Sequence, residues 1–150
     1  MSTLRIAADA LQALRAHGER AYPRECCGAL LGRMTPEGWA VETAVPASNA
    51  CAGDPHRRYE IAPAELAALL GEARRRGLEI AGFYHSHPDC PAQWSATDLA
   101  EAHWVGCCTV ITQVAEGRAA ETRAFLLAGT TEEDKRFAEL RILPDGPGAR

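Results

Sequence analysis

Two histidines and an aspartate stand at a spacing that could hold a metal ion. His85 and His87 flank Ser86 at the end of an apolar run, and Asp98 follows eleven residues after His87. Alternate residues of a strand point to the same side, so the two imidazoles would project together from the strand end. A helix beginning near residue 95 could return the Asp98 carboxylate to this place. Two nitrogens and one oxygen suit zinc, with a fourth tetrahedral position left for water.

A purely structural interpretation of the same residues is also open. A His-x-His pair arises by chance, and each ring could simply form a hydrogen bond with the backbone. Ser95 and Asp98 also form a capping pattern, in which Ser95 is the N-cap and Asp98 stands three residues later. The usual residue at that third position is Glu or Gln, and a cap does not explain the two histidines upstream. From the residues alone, the metal site and the plain helix start both remain open.

The complete pattern resembles the signature of the JAMM (MPN+) metalloprotease family. His85 to Pro88, six intervening residues and then Ser95 to Asp98 match the pattern H-[ST]-H-P-x6-S-x2-D. Residue types specified at this many fixed positions make an accidental match improbable. The family also places a glutamate upstream at the start of a strand, and the segment around Glu25 is similar to that region of small bacterial members. The resemblance covers about residues 25–127, and residues 131–150 stay unassigned by it.

This resemblance implies a role for each matched residue. His85, His87 and Asp98 would bind Zn²⁺, Glu25 would be the general base, and Ser95 would help to hold the oxyanion of the tetrahedral intermediate. Zinc held by three protein groups lowers the pKa of its water to about 7 and polarises the attacked carbonyl. The implied reaction is therefore attack of zinc-bound water on an amide bond, without a covalent acyl-enzyme.

Several neighbouring residues compete with these assignments. A glutamate at a strand edge is usually a solvated charge, and Glu19 and Glu37 are nearby alternatives to Glu25 as the base. Cys90 lies at a variable position of the six-residue spacer and could be a fourth ligand, an oxidation-sensitive thiol or a residue without function, of which we favour the last. His103 would face away from the motif on the predicted helix, so we expect it to have a surface or packing role.

The resemblance also implies a substrate class. Small bacterial members of similar length process ubiquitin-like sulfur carrier proteins, from which they remove cysteine or a short extension after the C-terminal Gly-Gly. We expect the same substrate here, with its extended tail crossing the zinc cleft and pairing with a sheet edge. The alternatives are a deubiquitinase-like isopeptidase that acts on other conjugates and a non-catalytic MPN interaction module. The intact metal set argues against the second alternative.

Two other hydrolytic chemistries receive less support from the residues. A zinc deaminase would need His-x-Glu together with Pro-Cys-x-x-Cys, and neither pattern occurs. A cysteine hydrolase that uses Cys26 or Cys27 is conceivable, but nothing marks either thiol as reactive. Both residues, with Cys107 and Cys108, stand in apolar surroundings and are expected in the core.

Composition sets the class of protein. A chain of 150 residues with 47% hydrophobic and 24% charged content is typical of a single globular domain, here residues 1–150. The formal charge of -4 argues against nucleic acid as a partner. No apolar run approaches the roughly 20 residues of a membrane helix, and the N-terminus lacks a signal-peptide pattern. We therefore expect a soluble, cytoplasmic protein without a membrane partner. No feature of the sequence specifies an oligomeric state.

The elements that position the motif alternate between strands and helices. This order predicts an α/β (α+β) fold, and the resemblance implies a single MPN-like domain, with a mixed central sheet flanked by helices in cytidine-deaminase-like layering. Hydrophobic periodicity predicts helices over residues 7–18, 63–77 and 95–104. The predicted strands are 26–34, 39–45, 59–61, 80–84, 107–114 and 119–127, with a final candidate near 137–142.

Overall fold

One mixed sheet of seven strands, with three helices against it, forms the described part of the chain. The computed structural model describes residues 1–146. In chain order the elements are β1 (Thr3–Ala7), α1 (Ala8–Ala21), β2 (Cys27–Thr35), β3 (Gly38–Ala47), α2 (Pro63–Arg75), β4 (Glu79–Pro88), α3 (Ala96–Glu101), β5 (Cys108–Ala115), β6 (Arg118–Ala128) and β7 (Arg136–Asp145). The expected mixed sheet with flanking helices is confirmed.

The sheet closes on itself through its shortest strand. The strand order is β1-β3-β2-β4-β5-β6-β7, and β1 pairs in parallel with both β3 and β7. β4 and β5 are also parallel, and the remaining pairs are antiparallel. Each strand of residues 1–146 therefore has two neighbours, although β3 pairs with β1 only at Ala40 and Val41. Closure leaves little free strand edge, but residues 43–47 of β3 pair only with β2, so the expectation that a substrate tail adds to a sheet edge stays a prediction.

Apolar residues cover both faces of the sheet. Leu30 of β2 packs inside with Leu14 of α1, while its neighbours Ala29 and Leu31 pack outside with Leu69 of α2. This alternation follows from the two-residue period of a strand. Because the two faces are covered by different helices, the strands between them hold rigid positions from which side chains can be presented at the strand ends.

The observed elements depart from the sequence-based expectation at three places. β1 was not predicted, because five residues before a helix give too short an alternating pattern. Residues 59–61 form no strand, although their backbone is ordered by side-chain hydrogen bonds. α3 ends at Glu101 rather than at residue 104, and Ala102 already has extended backbone angles. The candidate strand near 137–142 is confirmed as the longer β7.

The close pairing of β4 with β5 gives a test of the fold. Gly82 lies opposite Cys108, and a Cβ on Gly82 would overlap the Cys108 main chain. We expect Gly82→Ala to lower the free energy of unfolding by at least about 2 kcal/mol, since backbone cannot move aside as a side chain can. Gly71→Ala in α2 is the matched control, because its Cβ would meet only the end of Arg75. It should raise stability by about 0.5 to 1 kcal/mol. Urea unfolding midpoints measure both, and an unchanged midpoint for Gly82→Ala would contradict the close approach.

Candidate active site

His85 and His87 lie side by side at the carboxyl end of β4. This strand runs between β2 and β5, so both residues are almost fully buried, with 1% and 9% of their surfaces exposed. Their Nε2 atoms are 3.2 Å apart. The prediction that the two imidazoles project to one side is therefore confirmed by the geometry.

Asp98 reaches the same point from the first turn of α3. Its Oδ1 lies 3.2 Å from Nε2 of His85, and its Oδ2 lies 3.3 Å from Nε2 of His87. Asp98 also completes a capping box, in which the Ser95 amide donates to Oδ2 at 2.8 Å and the Asp98 amide donates to the Ser95 hydroxyl at 3.0 Å. The cap and the cluster are thus one structure, and the two interpretations of this segment are compatible.

The Nε2 atoms of both histidines face the Asp98 carboxylate. Nδ1 of His87 lies 2.9 Å from the carbonyl of Pro91, which requires a proton on Nδ1, so Nε2 is the nitrogen of this ring that a metal would use. Burial lowers the pKa of His85, so this ring is neutral near pH 7. Burial opposes ionisation of Asp98 as well, but its hydrogen bonds with the two imidazoles hold its pKa well below the usual range. Burial also opposes a charge on His87, but its hydrogen bonds with Asp98 and the Pro91 carbonyl raise its pKa above the usual value. Metal binding would require both rings in their neutral form beside the Asp98 carboxylate.

The three donor groups fit a tetrahedral zinc ion. His85, His87 and Asp98 can each offer one ligand atom, all mutually close. Nitrogen and oxygen ligands about 2.0 to 2.1 Å from zinc would be separated by about 3.3 Å in a tetrahedron. The observed separations of 3.2, 3.2 and 3.3 Å agree with this value. Three protein donors leave a fourth position for water or substrate, as in catalytic rather than structural zinc sites.

Glu25 stands beside this cluster, just before β2. Cys27 is paired with His85 across β2 and β4, and continuing this antiparallel register by two residues brings Glu25 opposite His87. Only 6% of Glu25 is exposed. Burial raises the pKa of its carboxyl group to about 8, with the charge of His87 opposing the rise. A buried carboxyl group whose pKa lies near neutrality is suited to accepting and releasing a proton.

The two competing glutamates have other contacts. Glu19 accepts a hydrogen bond from the Ala119 amide at 2.8 Å, where α1 meets β6. Glu37 lies exposed in the turn between β2 and β3, where Thr35 donates to it. Of the three glutamates, the structure places Glu25 at the cluster.

A loop over residues 48–62 forms the other side of the site, and sequence reasoning missed its contribution. The Tyr59 ring stacks on His85, with 4.6 Å between ring centres and an angle of 24°. Tyr59 is the lone aromatic residue in a segment rich in Asn, Gly, Asp and Pro. An isolated aromatic in such a loop was a usable signal for a buried contact, but its partner was not readable from sequence.

A cleft of about 420 Å³ leads to the cluster between this loop and α3. Residues 57–61 form one wall, and residues 97–104 form the other. Phe83 contributes apolar surface with Trp104, whose ring packs edge-on against it at 5.2 Å. An ion pair between Arg58 and Glu101 spans the two walls. The cleft therefore combines charged and apolar surface and leads to His85 and Asp98.

The cysteines are placed mainly as core residues. Cys26, Cys27 and Cys108 are buried as expected, whereas Cys107 is partly exposed and contributes to the cleft. Burial raises the pKa of Cys26 to about 11 and that of Cys27 to about 12. Since the thiolate is the nucleophilic form, these pKa values argue against the cysteine-hydrolase alternative. Cys90 is exposed.

Two further features concern the surface. His103 is largely exposed and its Nδ1 lies 3.0 Å from a carboxylate oxygen of Glu132, so of the two expected roles it has the surface one. Among the described residues, no helix has the length and apolar content needed to cross a bilayer.

Comparison with known families decides where the chain belongs. A family model for prokaryotic homologs of the JAB domain matches residues 7–128. The chain belongs to this prokaryotic JAB family. The match extends the resemblance toward the N-terminus to include α1, and it includes every candidate site residue. This JAB protein is a JAMM-type hydrolase, as its curated relatives are also named for hydrolytic activities.

Relatives with names and structures support this assignment. A desampylase of Haloferax volcanii is 37% identical over 109 residues, which cover 70% of this chain and 76% of that protein. A probable TtuB-protein conjugate cleaving protease of Thermus thermophilus is 36% identical over 94 residues, covering 63% of this chain and 60% of the relative. The solution structure of a Desulfitobacterium hafniense protein superposes with a TM-score of 0.81 at 25% identity, covering 97% of this chain and 94% of that one.

The capping role of Ser95 can be measured independently of any reaction. We expect Ser95→Ala to lower the free energy of unfolding by about 0.5 to 2 kcal/mol, because the Asp98 amide loses its acceptor. Ser95→Thr is the control, since threonine keeps an oxygen at the γ position. Thermal melting of both variants gives the comparison. Equal stability of Ser95→Ala and the wild type would show that the cap contributes nothing to α3.

Proposed function

We propose that this JAB protein is a zinc-dependent peptidase that removes cysteine or a short extension after the C-terminal Gly-Gly of a ubiquitin-like sulfur carrier protein. The observation that carries the proposal is the convergence of His85, His87 and Asp98 at tetrahedral spacing beside the buried carboxyl group of Glu25. Such an arrangement has the parts that amide hydrolysis requires: a metal site with an open position and a proton acceptor next to it.

The three ligands and their surroundings would define the metal's position. His85, His87 and Asp98 would hold Zn²⁺, and the bond from His87 Nδ1 to the Pro91 carbonyl keeps that ring oriented. When bound there, zinc would lower the pKa of water and polarise the substrate carbonyl. The capping box would fix Asp98 from the opposite side, because its carboxylate is bound by the Ser95 amide.

Glu25 and Ser95 would act on the reacting groups. Glu25 would take a proton from the attacking water and pass it to the amine nitrogen, so that the carbon–nitrogen bond breaks and a neutral amine leaves. The Ser95 hydroxyl accepts a hydrogen bond from the Asp98 amide, but its own proton remains available for donation. We propose that it donates to the carbonyl oxygen as negative charge develops there.

The cleft supports a substrate with an extended tail of small residues. Its two walls are joined by the ion pair between Arg58 and Glu101, and an entering tail would pass beside this pair. Two glycines would allow the close approach of backbone that such a passage needs. One relative is named as a protease that cleaves TtuB-protein conjugates, and another is named desampylase. These names favour a protein conjugate or precursor as the substrate of this chain.

The state of the cysteines supports a cytoplasmic setting for the reaction. All six are free thiols, including the exposed Cys90. Free thiols persist where glutathione and thioredoxin keep proteins reduced. We therefore propose that the protein meets its carrier in the cytoplasm.

The metal assignment can be tested without substrate. We expect purified protein to hold about one Zn²⁺ per chain, and His85→Ala, His87→Ala and Asp98→Ala to lower that content, since each removes a ligand. His103→Ala is the matched control, because this exposed histidine lies outside the cluster. Elemental analysis gives the zinc content. Full occupancy in the His85→Ala/His87→Ala double variant would refute the site.

The reaction can be tested with a carrier that ends in Gly-Gly-Cys. Mass spectrometry should show the loss of one cysteine with the zinc-loaded enzyme. Glu25→Gln should keep zinc and lose nearly all turnover, because it removes a proton acceptor but no ligand. Ser95→Ala should lose on the order of 10²-fold to 10³-fold, as expected for one oxyanion donor.

Glu19→Gln is the control for this experiment, since Glu19 contacts β6 rather than the cluster. A glutamine there can still accept the hydrogen bond from the Ala119 amide. It should leave turnover unchanged. Near-normal turnover of Glu25→Gln would show that another group is the base. Inertness toward Gly-Gly carriers, together with brisk cleavage of Lys-linked ubiquitin chains, would favour the deubiquitinase-like alternative. Inertness toward both would favour the non-catalytic module.

A further inference from the structure

The side-chain amide of Asn49 has all four of its hydrogen-bonding positions filled by main-chain groups. Nδ2 donates to the carbonyls of Glu25 and Arg58, at 3.3 and 2.9 Å. Oδ1 accepts from the amides of Cys51 and Glu60, at 3.0 and 3.1 Å. These partners fix the orientation of the side-chain amide. If the group were flipped, its NH₂ would face the two backbone amides and its oxygen would face the two carbonyls. One side chain thus joins the strand entry at Glu25 to three points of the loop over residues 48–62.

The main chain of Glu25 depends on this loop. Glu25 precedes β2, so it lacks the ladder hydrogen bonds that the following residues make with β3 and β4. Its amide donates to the Pro55 carbonyl at 2.8 Å, and its carbonyl accepts from Asn49. Both backbone groups of Glu25 are therefore satisfied by residues of the loop. Any movement of the loop would be transmitted to the carboxyl group that faces the cluster.

Tyr59 is held from both sides by the same amide. Its two neighbours along the chain are Arg58, whose carbonyl accepts from Asn49, and Glu60, whose amide donates to Asn49. A further bond between the Ala50 amide and the Glu60 carbonyl, at 2.7 Å, closes this part of the loop. These bonds thereby hold the Tyr59 ring in its stacked position on His85. Asn49 explains how residues 59–61 are ordered although they belong to no strand.

We propose that Asn49 is a positioning residue, which sets the Glu25 carboxyl group and the Tyr59 ring relative to the cluster of His85, His87 and Asp98. The proposal rests on the proposed function in one respect, since the effect on turnover assumes that Glu25 is the base. Displacing a reacting group by about 1 Å can cost about 10²-fold in rate, and sites held by saturated hydrogen bonds keep such errors small. Asn49 itself contacts only main chain, so it acts through the two residues that it holds.

Asn49→Asp is the sharpest change, because it keeps the shape and the acceptor oxygen but replaces both donors with an oxygen that repels the Glu25 and Arg58 carbonyls. We expect kcat toward the Gly-Gly-Cys carrier to fall by about 10-fold to 100-fold. Zinc content should stay at the wild-type level, because the three ligands lie on β4 and α3. The protection of the Glu25 amide against hydrogen exchange should also fall, since its bond to Pro55 requires a docked loop.

Glu65→Ala is the matched control. Glu65 accepts a hydrogen bond from the Ser48 amide at 2.9 Å and so attaches the start of the same loop to α2. Its replacement removes this attachment and leaves every hydrogen bond of Asn49 in place. We expect kcat and the exchange protection of Glu25 to stay within about twofold of wild type. Equal losses in Glu65→Ala and Asn49→Asp would show that general attachment of the loop matters, and would overturn the proposal.

A stabilised background separates positioning from loss of folded protein. Gly71→Ala should raise global stability, and it lies in α2 away from the cluster. If Asn49→Asp loses turnover only because the protein partly unfolds, adding Gly71→Ala would restore kcat. We expect no restoration, and restoration would overturn the proposal. A kcat of Asn49→Asp within twofold of wild type would overturn it as well.

A second pair of variants keeps the proposal testable if Asn49→Asp does not fold. Tyr59→Phe retains the ring against His85 and should keep kcat, whereas Tyr59→Leu should lower it by about 10-fold while the Asn49 bonds to the main chain remain. Equal activity of the two would overturn the role of the ring. If the wild type cleaves no such carrier, the proposed function is refuted, but the positioning role of Asn49 is not. Hydrogen exchange at the Glu25 amide then tests that role without any substrate, and unchanged protection in Asn49→Asp would refute the role.

Discussion

The structure depends on bringing two imidazoles and a carboxylate to one buried point. Burying such polar groups is unfavourable unless each finds a partner, and here the three partner one another at separations of 3.2 to 3.3 Å. The arrangement satisfies nearly all of their polar atoms. Nδ1 of His85 is the exception, since this buried nitrogen has no hydrogen-bond partner among residues 1–146. The same Nε2 and carboxylate oxygen atoms could hold a divalent cation, which would replace the protons that they share.

The rest of the fold holds this point from three directions. β4 carries both histidines and is paired on both sides, with β2 and β5, so its end has little freedom. α3 returns Asp98 through a capping box whose two hydrogen bonds also start the helix. The loop over residues 48–62 covers the remaining side and stacks Tyr59 on His85. Each direction uses a different kind of interaction: strand pairing, a helix cap, and the side-chain hydrogen bonds and ring stacking of the loop.

The closed sheet limits where another extended chain could add to it. Pairing of β1 with β3 and β7 closes the sheet, and residues 43–47 of β3 are a stretch that keeps a partner on one side only. The opening that leads to the cluster is the cleft between the loop and α3. Its walls are joined by the ion pair of Arg58 and Glu101, and its apolar surface includes Phe83 and Trp104.

Local patterns were sufficient to predict the parts of the protein that depend on short stretches of chain. Hydrophobic periodicity located α1, α2 and most strands, and the fixed spacing from His85 to Asp98 located the candidate ligands, because strand and helix geometry place residues at such spacings predictably. The choice of Glu25 among the glutamates rested on the family resemblance, since Glu25, Glu19 and Glu37 are alike by local pattern. The register of β2 against β4 is the tertiary contact that brings Glu25 to the cluster. Closure of the sheet by β1 and the hydrogen bonds of Asn49 on both sides of Tyr59 were likewise decided by contacts between distant segments. No local sequence pattern specifies the partners in such contacts.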